Sequence, residues 1–104
     1  MDMPAGSVKC ITTLAHTEQV RVAEFEMAGN TSGDIHYHSL ATEHCLCLQG
    51  LFQVEIAGRR VASLRPGERF EVPAGVSHRI VNAGQAPCRY LVIQSGGAYD
   101  FIVQ

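Results

Sequence analysis

Short runs in which apolar and polar residues alternate, cut by turn signals about every eight residues, dominate this sequence. Ala23, Phe25 and Met27 alternate with Glu24 and Glu26; Phe52, Val54 and Ile56 with Gln53 and Glu55; Phe70 and Val72 with Arg69 and Glu71; Leu91 and Ile93 with Tyr90 and Val92. Period two places successive side chains on opposite faces of a strand. The breaks fall at Gly29 to Asp34, Gly50, Ala57-Gly58, Pro66-Gly67, Pro73-Ala74-Gly75, Asn82 to Pro87 and Gly96-Gly97. Short strands punctuated this evenly by Gly and Pro fold as an antiparallel sandwich or barrel. No segment carries a sustained 3.6-residue stripe, and only Thr13 to Glu18 is expected to hold a helical turn. A chain of 104 residues has the size of one domain, and residues 1–104 are read as one.

Composition excludes several function classes. Charged residues make up 17% and apolar residues 46%, which is the profile of a folded globule rather than a disordered chain. The net charge is −2, Lys9 is the only lysine, and no basic run occurs. A surface that tracks nucleic-acid phosphates is therefore not expected. No apolar stretch approaches the roughly 18 residues of a membrane span. The start, Met1-Asp2-Met3-Pro4, is acidic with no apolar segment behind it, unlike a signal peptide. These readings point to a cytoplasmic protein, in which Cys10, Cys45, Cys47 and Cys88 are free thiols.

The chemistry is concentrated in two clusters. His36-Tyr37-His38 is followed by Glu43 after a short connection. Residues two apart on a strand share a face at roughly 6.6–7 Å, so two imidazoles can lean onto one metal ion. Glu43 can reach the same point from the next strand. His78 follows the turn Pro73-Ala74-Gly75, which Pro and Gly make rigid enough to aim one side chain. His36, His38, Glu43 and His78 thus supply three neutral nitrogens and a carboxylate. His44 neighbours Glu43 and so faces the other way, and His16 lies in a polar loop; neither is assigned to the site.

Parity from Glu43 points Cys45 and Cys47 inward. Phe52, Val54, Ile56, Phe70, Val72 and Ile80 are read as inward too, which gives a mainly apolar cavity. No second carboxylate, lysine or tyrosine is placed beside the metal by parity. Arg21 and Arg89 share the parity of inward apolar neighbours and either could pair with an anionic substrate, but both are expected at strand ends in solvent.

The two clusters resemble the paired motifs of the cupin superfamily. Asp34 to Gly50 is similar to the first motif: His36-x-His38, four residues, Glu43, six residues, Gly50. The stretch from Gly67 to Asn82 is similar to the second: Gly67, five residues, Pro73, Gly75, two residues, His78, three residues, Asn82. The first motif departs from the family at its leading glycine, which falls on Asn30, a residue that also tolerates positive φ. Sixteen residues, Leu51 to Pro66, separate the motifs. The resemblance implies an all-β fold, a small antiparallel jelly-roll β-barrel open at one end. It also implies a divalent metal on His36, His38, Glu43 and His78.

Three imidazoles and one carboxylate suit Fe, Mn, Ni, Co, Cu or Zn and leave positions open on a six-coordinate ion. The expected function is a metal-dependent enzyme, a dioxygenase or else a lyase, isomerase or cyclase, acting on a small organic molecule in the cavity. The alternatives are a small-ligand binding or sensor module and a barrel that its metal only stabilises, although structural zinc sites favour thiolates. Low charge and the apolar outward run His44, Leu46, Leu48 suggest a homodimer.

Overall fold

The computed structural model describes residues 8–104; the reading of Met1 to Pro4 lies outside the described residues. The elements are β1 (Val8–His16), β2 (Val20–Met27), β3 (Thr31–Ser32), β4 (His36–Tyr37), β5 (Thr42–Gln49), β6 (Phe52–Ile56), β7 (Arg59–Leu64), β8 (Arg69–Val72), β9 (Arg79–Asn82), β10 (Cys88–Ser95) and β11 (Ile102–Val103). They form a five-stranded sheet ordered β1-β2-β10-β5-β8, a four-stranded sheet ordered β3-β9-β6-β7, and the small pair β11-β4. Every pairing is antiparallel. This is the expected jelly roll, with two facing sheets that do not close into one continuous hydrogen-bonded barrel. No helix of the described residues is long and apolar enough to cross a membrane.

The expected helical turn at Thr13 to Glu18 does not form. β1 covers its first four residues, pairing Thr13 with Ala23 and His16 with Arg21, and Thr17 and Glu18 lie in the connection to β2, so His16 sits on a strand and not in a loop. β2 offers this segment a partner for its backbone groups, which outweighs a weak local preference. Two register shifts mark bulges in β1. The Thr17 Oγ1 accepts the Val20 amide at 3.1 Å and closes the hairpin.

The core lies between the two larger sheets. Ala23 and Met27, Cys45 and Cys47, Val72, and Cys88, Tyr90 and Val92 face inward from the five-stranded sheet; Phe52, Val54, Leu64 and Ile80 face them from the other. Phe52 and Tyr90 meet across the interface with ring centroids 4.4 Å apart. Of the residues read as inward, Cys45, Cys47, Phe52, Val54, Val72 and Ile80 are buried here, and Phe70 packs at the margin. Ile56 is only half-buried, at the end of β6 beside the Ala57-Gly58 turn. Cys10, Cys45, Cys47 and Cys88 are all free thiols.

The orientation of β10 decides where Arg89 goes, as expected for a residue near a strand end. Cys88, Tyr90, Val92 and Gln94 are its inward residues, and Arg89, Leu91 and Ile93 point outward. Both faces of this strand are apolar, so alternation alone does not say which is buried. Arg89 therefore leaves the cavity and pairs with Glu24 on the outer face.

Two residues of the loops are fixed by close contacts. A Cβ on Gly29 would stand 2.0 Å from the carbonyl oxygen of Gln85, so the approach of these loops requires glycine. Asn82, 1% exposed, donates from Nδ2 to the carbonyls of Ala86 (2.9 Å), Ala28 (3.3 Å) and Met27 (3.4 Å), and its Oδ1 accepts the Gly84 amide at 3.0 Å. The last residue of the second motif is thus a structural staple between two loops. Asn82→Ala leaves these buried groups unpaired and is expected to cost about 2–3 kcal/mol. Denaturant unfolding should show a lower midpoint at unchanged slope, with metal stoichiometry retained.

Candidate metal centre

Each ligand is placed by a different device. His36 lies on β4 and sits directly opposite His78, each amide donating to the other's carbonyl at 3.0 and 2.8 Å. Gly75, at φ +80°, lets its turn fold back so that its amide donates to the His38 carbonyl at 2.7 Å. Glu43, near the start of β5, is aligned with Val72 of β8 on one side and Gln94 of β10 on the other. Pleat parity sends its side chain inward. All four side chains are buried, at 5% exposure or less. The ring centroids lie 5.0 Å (His36–His38), 4.4 Å (His36–His78) and 5.6 Å (His38–His78) apart.

The imidazoles are oriented by the backbone. Nδ1 of His36 lies 2.8 Å from the Asp34 carbonyl, Nδ1 of His38 2.5 Å from that of Asp100, and Nδ1 of His78 3.0 Å from that of Val76. A carbonyl only accepts, so each Nδ1 carries the proton and each Nε2 presents a lone pair to the centre. This is the arrangement in which outer hydrogen bonds fix the tautomer of a metal-ligating histidine.

The fit to a cation rests on what lies between those lone pairs. Nε2 of His38 is 2.8 Å from Oε1 of Glu43. With Nδ1–H committed to Asp100, two lone pairs at that distance repel unless a proton or a metal ion stands between them. Nε2 of His78 lies 3.3 Å from Glu43 Oε2, yet it makes no hydrogen bond and remains a buried atom without a partner. One ligand atom from each of the four residues lies within 4.8 Å of every other. Donors at roughly 2.0–2.2 Å from one ion span at most about 4.4 Å, so a small contraction closes the set. The cluster fits a divalent metal site.

Titration follows the same geometry. Burial lowers the pKa of His36 below its ordinary 6.5. Burial opposes charge on His38 too, but Glu43 and the Asp100 carbonyl together outweigh it and hold this histidine above 6.5. Burial works against the Glu43 carboxylate as well, and the adjacent His38 and His78 imidazoles overcome it, holding the group far below the ordinary carboxylate value. Cys45 donates its thiol to Glu43 Oε2 at 3.2 Å. Burial and the adjacent carboxylate push that thiol well above its ordinary value, so it stays protonated.

The structure adds residues that sequence reasoning missed. Gln94 donates from Nε2 to Glu43 Oε1 at 2.9 Å; the apolar residues on both faces of β10 conceal its inward direction. Tyr99 stands beside His38 with centroids 5.7 Å apart, and Phe101 stacks on His36 at 4.1 Å. A tyrosine is therefore near the centre after all. Both aromatics come from the segment after Gly96-Gly97, which β11 ties to β4. The only signal in the sequence is an aromatic pair following a glycine pair. Arg21 is also not in solvent: it is half-buried and hydrogen-bonds to Gln94. His44 points outward toward Glu71, away from the centre.

Fold and centre together define a small β-sandwich of the jelly-roll class around a three-histidine, one-glutamate cluster. The chain belongs to the Cupin domain family, whose profile matches residues 23–94. A mannose-1-phosphate guanylyltransferase of Sinorhizobium fredii (strain NBRC 101917 / NGR234) is 27% identical over 85 residues, 82% of this chain. The match spans only 16% of that protein's length. A double-stranded β-helix protein from Klebsiella pneumoniae subsp. pneumoniae MGH 78578 superposes with a TM-score of 0.82 at 15% identity, covering 99% of this chain and 90% of the other. An oxalate oxidase superposes at 0.80 with 21% identity, over 96% of this chain and 56% of that one.

Replacing His36, His38 or His78 by alanine should each abolish stoichiometric metal, measured by elemental analysis after identical loading. Glu43→Gln should retain part, since an amide oxygen still donates, and His44→Ala should leave the content unchanged. Any of the three histidine variants that kept full metal would lose its place as a ligand.

Stability should also depend on pH more steeply with metal bound than without it. Metal needs neutral imidazoles, so protons displace it as pH falls, beginning above 6.5 at His38. In the metal-free protein the two histidines oppose each other. The raised pKa of His38 contributes stability below 6.5 that is lost as pH rises through its folded value. The lowered pKa of His36 costs stability below 6.5, where the unfolded chain takes up the proton more readily. Glu43 contributes stability above its ordinary 4.5, lost only at lower pH. Between about pH 7.5 and 5, melting temperature should therefore fall clearly with metal bound and change less without it. Equal pH sensitivity in both forms would contradict the assignment.

Proposed function

We propose that this chain is a metal-dependent cupin enzyme acting on a small organic molecule, with dioxygenase chemistry favoured over lyase, isomerase or cyclase chemistry. The observation that carries the reading is the His38 Nε2–Glu43 Oε1 pair at 2.8 Å, held with its lone pairs toward a common centre. When bound, a first-row divalent ion (Fe, Mn, Ni, Co, Cu or Zn) supplies Lewis acidity or a redox centre with positions left open by four protein donors.

The chain's own residues divide the remaining work. The three Nδ1 hydrogen bonds hold the imidazoles in one tautomer and one orientation. Gln94 and Cys45 donate to the two oxygens of Glu43 and keep the carboxylate in place. Val72 stands beside Glu43 on β8 and Cys45 follows Glu43 two residues on along β5, and both are buried apolar neighbours of the carboxylate. Burial raises the pKa of Tyr99, whose ring centroid lies 5.7 Å from that of His38, so its phenol keeps its proton. No carboxylate other than Glu43 stands within the buried cluster and Tyr99 keeps its proton, so chemistry centred on the metal and dioxygen suits it better than chemistry needing a second base. The likeness to an oxalate oxidase is a precedent for oxidase chemistry on this scaffold.

The test begins with elemental analysis of protein purified without added metal. Iron-loaded protein is then assayed in an oxygen electrode with small diols and thiols. Oxygen uptake that requires both iron and substrate, and that falls at least about 100-fold in His78→Ala, is the expected result. Ligand binding with neither oxygen uptake nor product by mass spectrometry across the panel would make the protein a binding module instead.

A further inference from the structure

Arg21 stands in the same lateral row of the five-stranded sheet as the metal-ligating carboxylate. The register aligns Arg21 with Gln94 and Gln94 with Glu43, so three adjacent strands, each about 4.8 Å from the next, send these side chains to one face. Arg21 donates from a terminal guanidinium nitrogen to Gln94 Oε1 at 3.4 Å, and Gln94 Nε2 donates to Glu43 Oε1 at 2.9 Å. A single amide group separates the guanidinium from the metal ligand. The cation also lies over the Tyr99 ring, 4.4 Å from its centroid, and near Phe25 at 5.7 Å. Tyr99 in turn borders His38. An amide and an aromatic face therefore hold Arg21 at the edge of the metal centre.

Among the described residues its charge has no counterpart. Lys9 pairs with Glu26, Arg79 with Glu55 and Arg89 with Glu24, while Arg59, Arg60, Arg65 and Arg69 are exposed to water. Arg21 is half-buried and, among the described residues, has no carboxylate within 4.0 Å. Its one side-chain hydrogen bond is to Gln94, which leaves most of its five donors without a protein acceptor among those residues. A partly desolvated cation placed this way is poised for an anion that arrives with the ligand.

We propose that Arg21 is the specificity-determining residue of the site, receiving the carboxylate of a small organic acid whose neighbouring oxygen sits at the metal. This rests on the metal-dependent reading of the centre and names its substrate class. The planar guanidinium fork matches a carboxylate in shape. One cation balances one negative charge, and the described inward face offers no second cation for a phosphate dianion. Gln94 links the two halves of the recognition: the same amide that steadies Glu43 orients Arg21.

The test uses the whole chain loaded with Co(II), whose visible absorption changes when a ligand enters its coordination sphere. Lactate, its neutral analogue lactamide and inorganic phosphate are titrated into wild type, Arg21→Gln and Arg21→Lys, with melting temperature as a second readout. Lactate should perturb the wild-type spectrum at least about tenfold more tightly than lactamide or phosphate. Arg21→Gln should weaken lactate about 10- to 100-fold, as expected for loss of a charge-assisted hydrogen bond, while cobalt stoichiometry and lactamide binding stay as in wild type. Arg21→Lys should recover part of the loss. Bound cobalt with equal lactate affinity in wild type and Arg21→Gln, or with phosphate preferred, overturns the role of Arg21 and leaves the metal centre standing. Failure of wild type to bind cobalt overturns the metal reading and this proposal with it.

Discussion

The centre of this molecule depends on a buried carboxylate held against imidazole nitrogens whose protons point elsewhere. Glu43 and three histidines are all at or below 5% exposure, where unpaired charge and unpaired lone pairs are both costly. Backbone carbonyls of Asp34, Val76 and Asp100 take the Nδ1 protons. The Nε2 atoms then have no hydrogen to offer the carboxylate, and a shared cation is what reconciles the four groups. The folded frame therefore holds a set of donors that is self-consistent only around a positive charge.

That frame is assembled from distant parts of the chain. The first-motif histidines reach their partner through the His36–His78 backbone pair, which fastens the small β4-β11 pair to the four-stranded sheet. The C-terminal segment contributes the Asp100 carbonyl to His38, the Phe101 ring to His36, and Tyr99 beside both His38 and Arg21. Asp100 also accepts from the Ser39 amide at 2.8 Å and from the Ser39 hydroxyl, tying the segment to the loop after His38. Orientation of a ligating imidazole and the covering aromatics thus share one stretch of backbone, so displacing that segment would alter both together.

The five-stranded sheet supplies the second organising element. Its rows run across the strands: Arg21, Gln94, Glu43 and Val72 form one, and Ala23, Val92, Cys45 and Phe70 the next. Polarity changes within a single row step, from a hydrogen-bonded polar line to an apolar one. This gradient is a direct result of strand register, since a slip by one residue would turn every member of both rows to the other face. The apolar row shields the polar line from the core side and strengthens its electrostatics.

Much of this is legible in the chain before folding. Alternation marks the strands around Phe25, Val54 and Val72, because a strand with one wet face must alternate. Spacing marks His36, His38, Glu43 and His78, because two residues apart on a strand means one face, and a Pro-Gly turn aims the side chain that comes after it. Where both faces are apolar, as on β10, alternation carries no sign, and it hides Gln94. Thr13 to Glu18 looks locally helical because pairing with β2 is a long-range event that propensity does not contain. Sequence alone determined the all-β class, the two motifs and the four residues that cluster as a candidate metal site, since these arise from periodicity and chemistry along the chain. Only the tertiary structure decided which nitrogen each histidine presents, which strand face is inward, and that Gln94, Tyr99, Phe101 and Arg21 surround the centre. Those facts arise from contacts between segments up to 73 residues apart, and no local pattern encodes them.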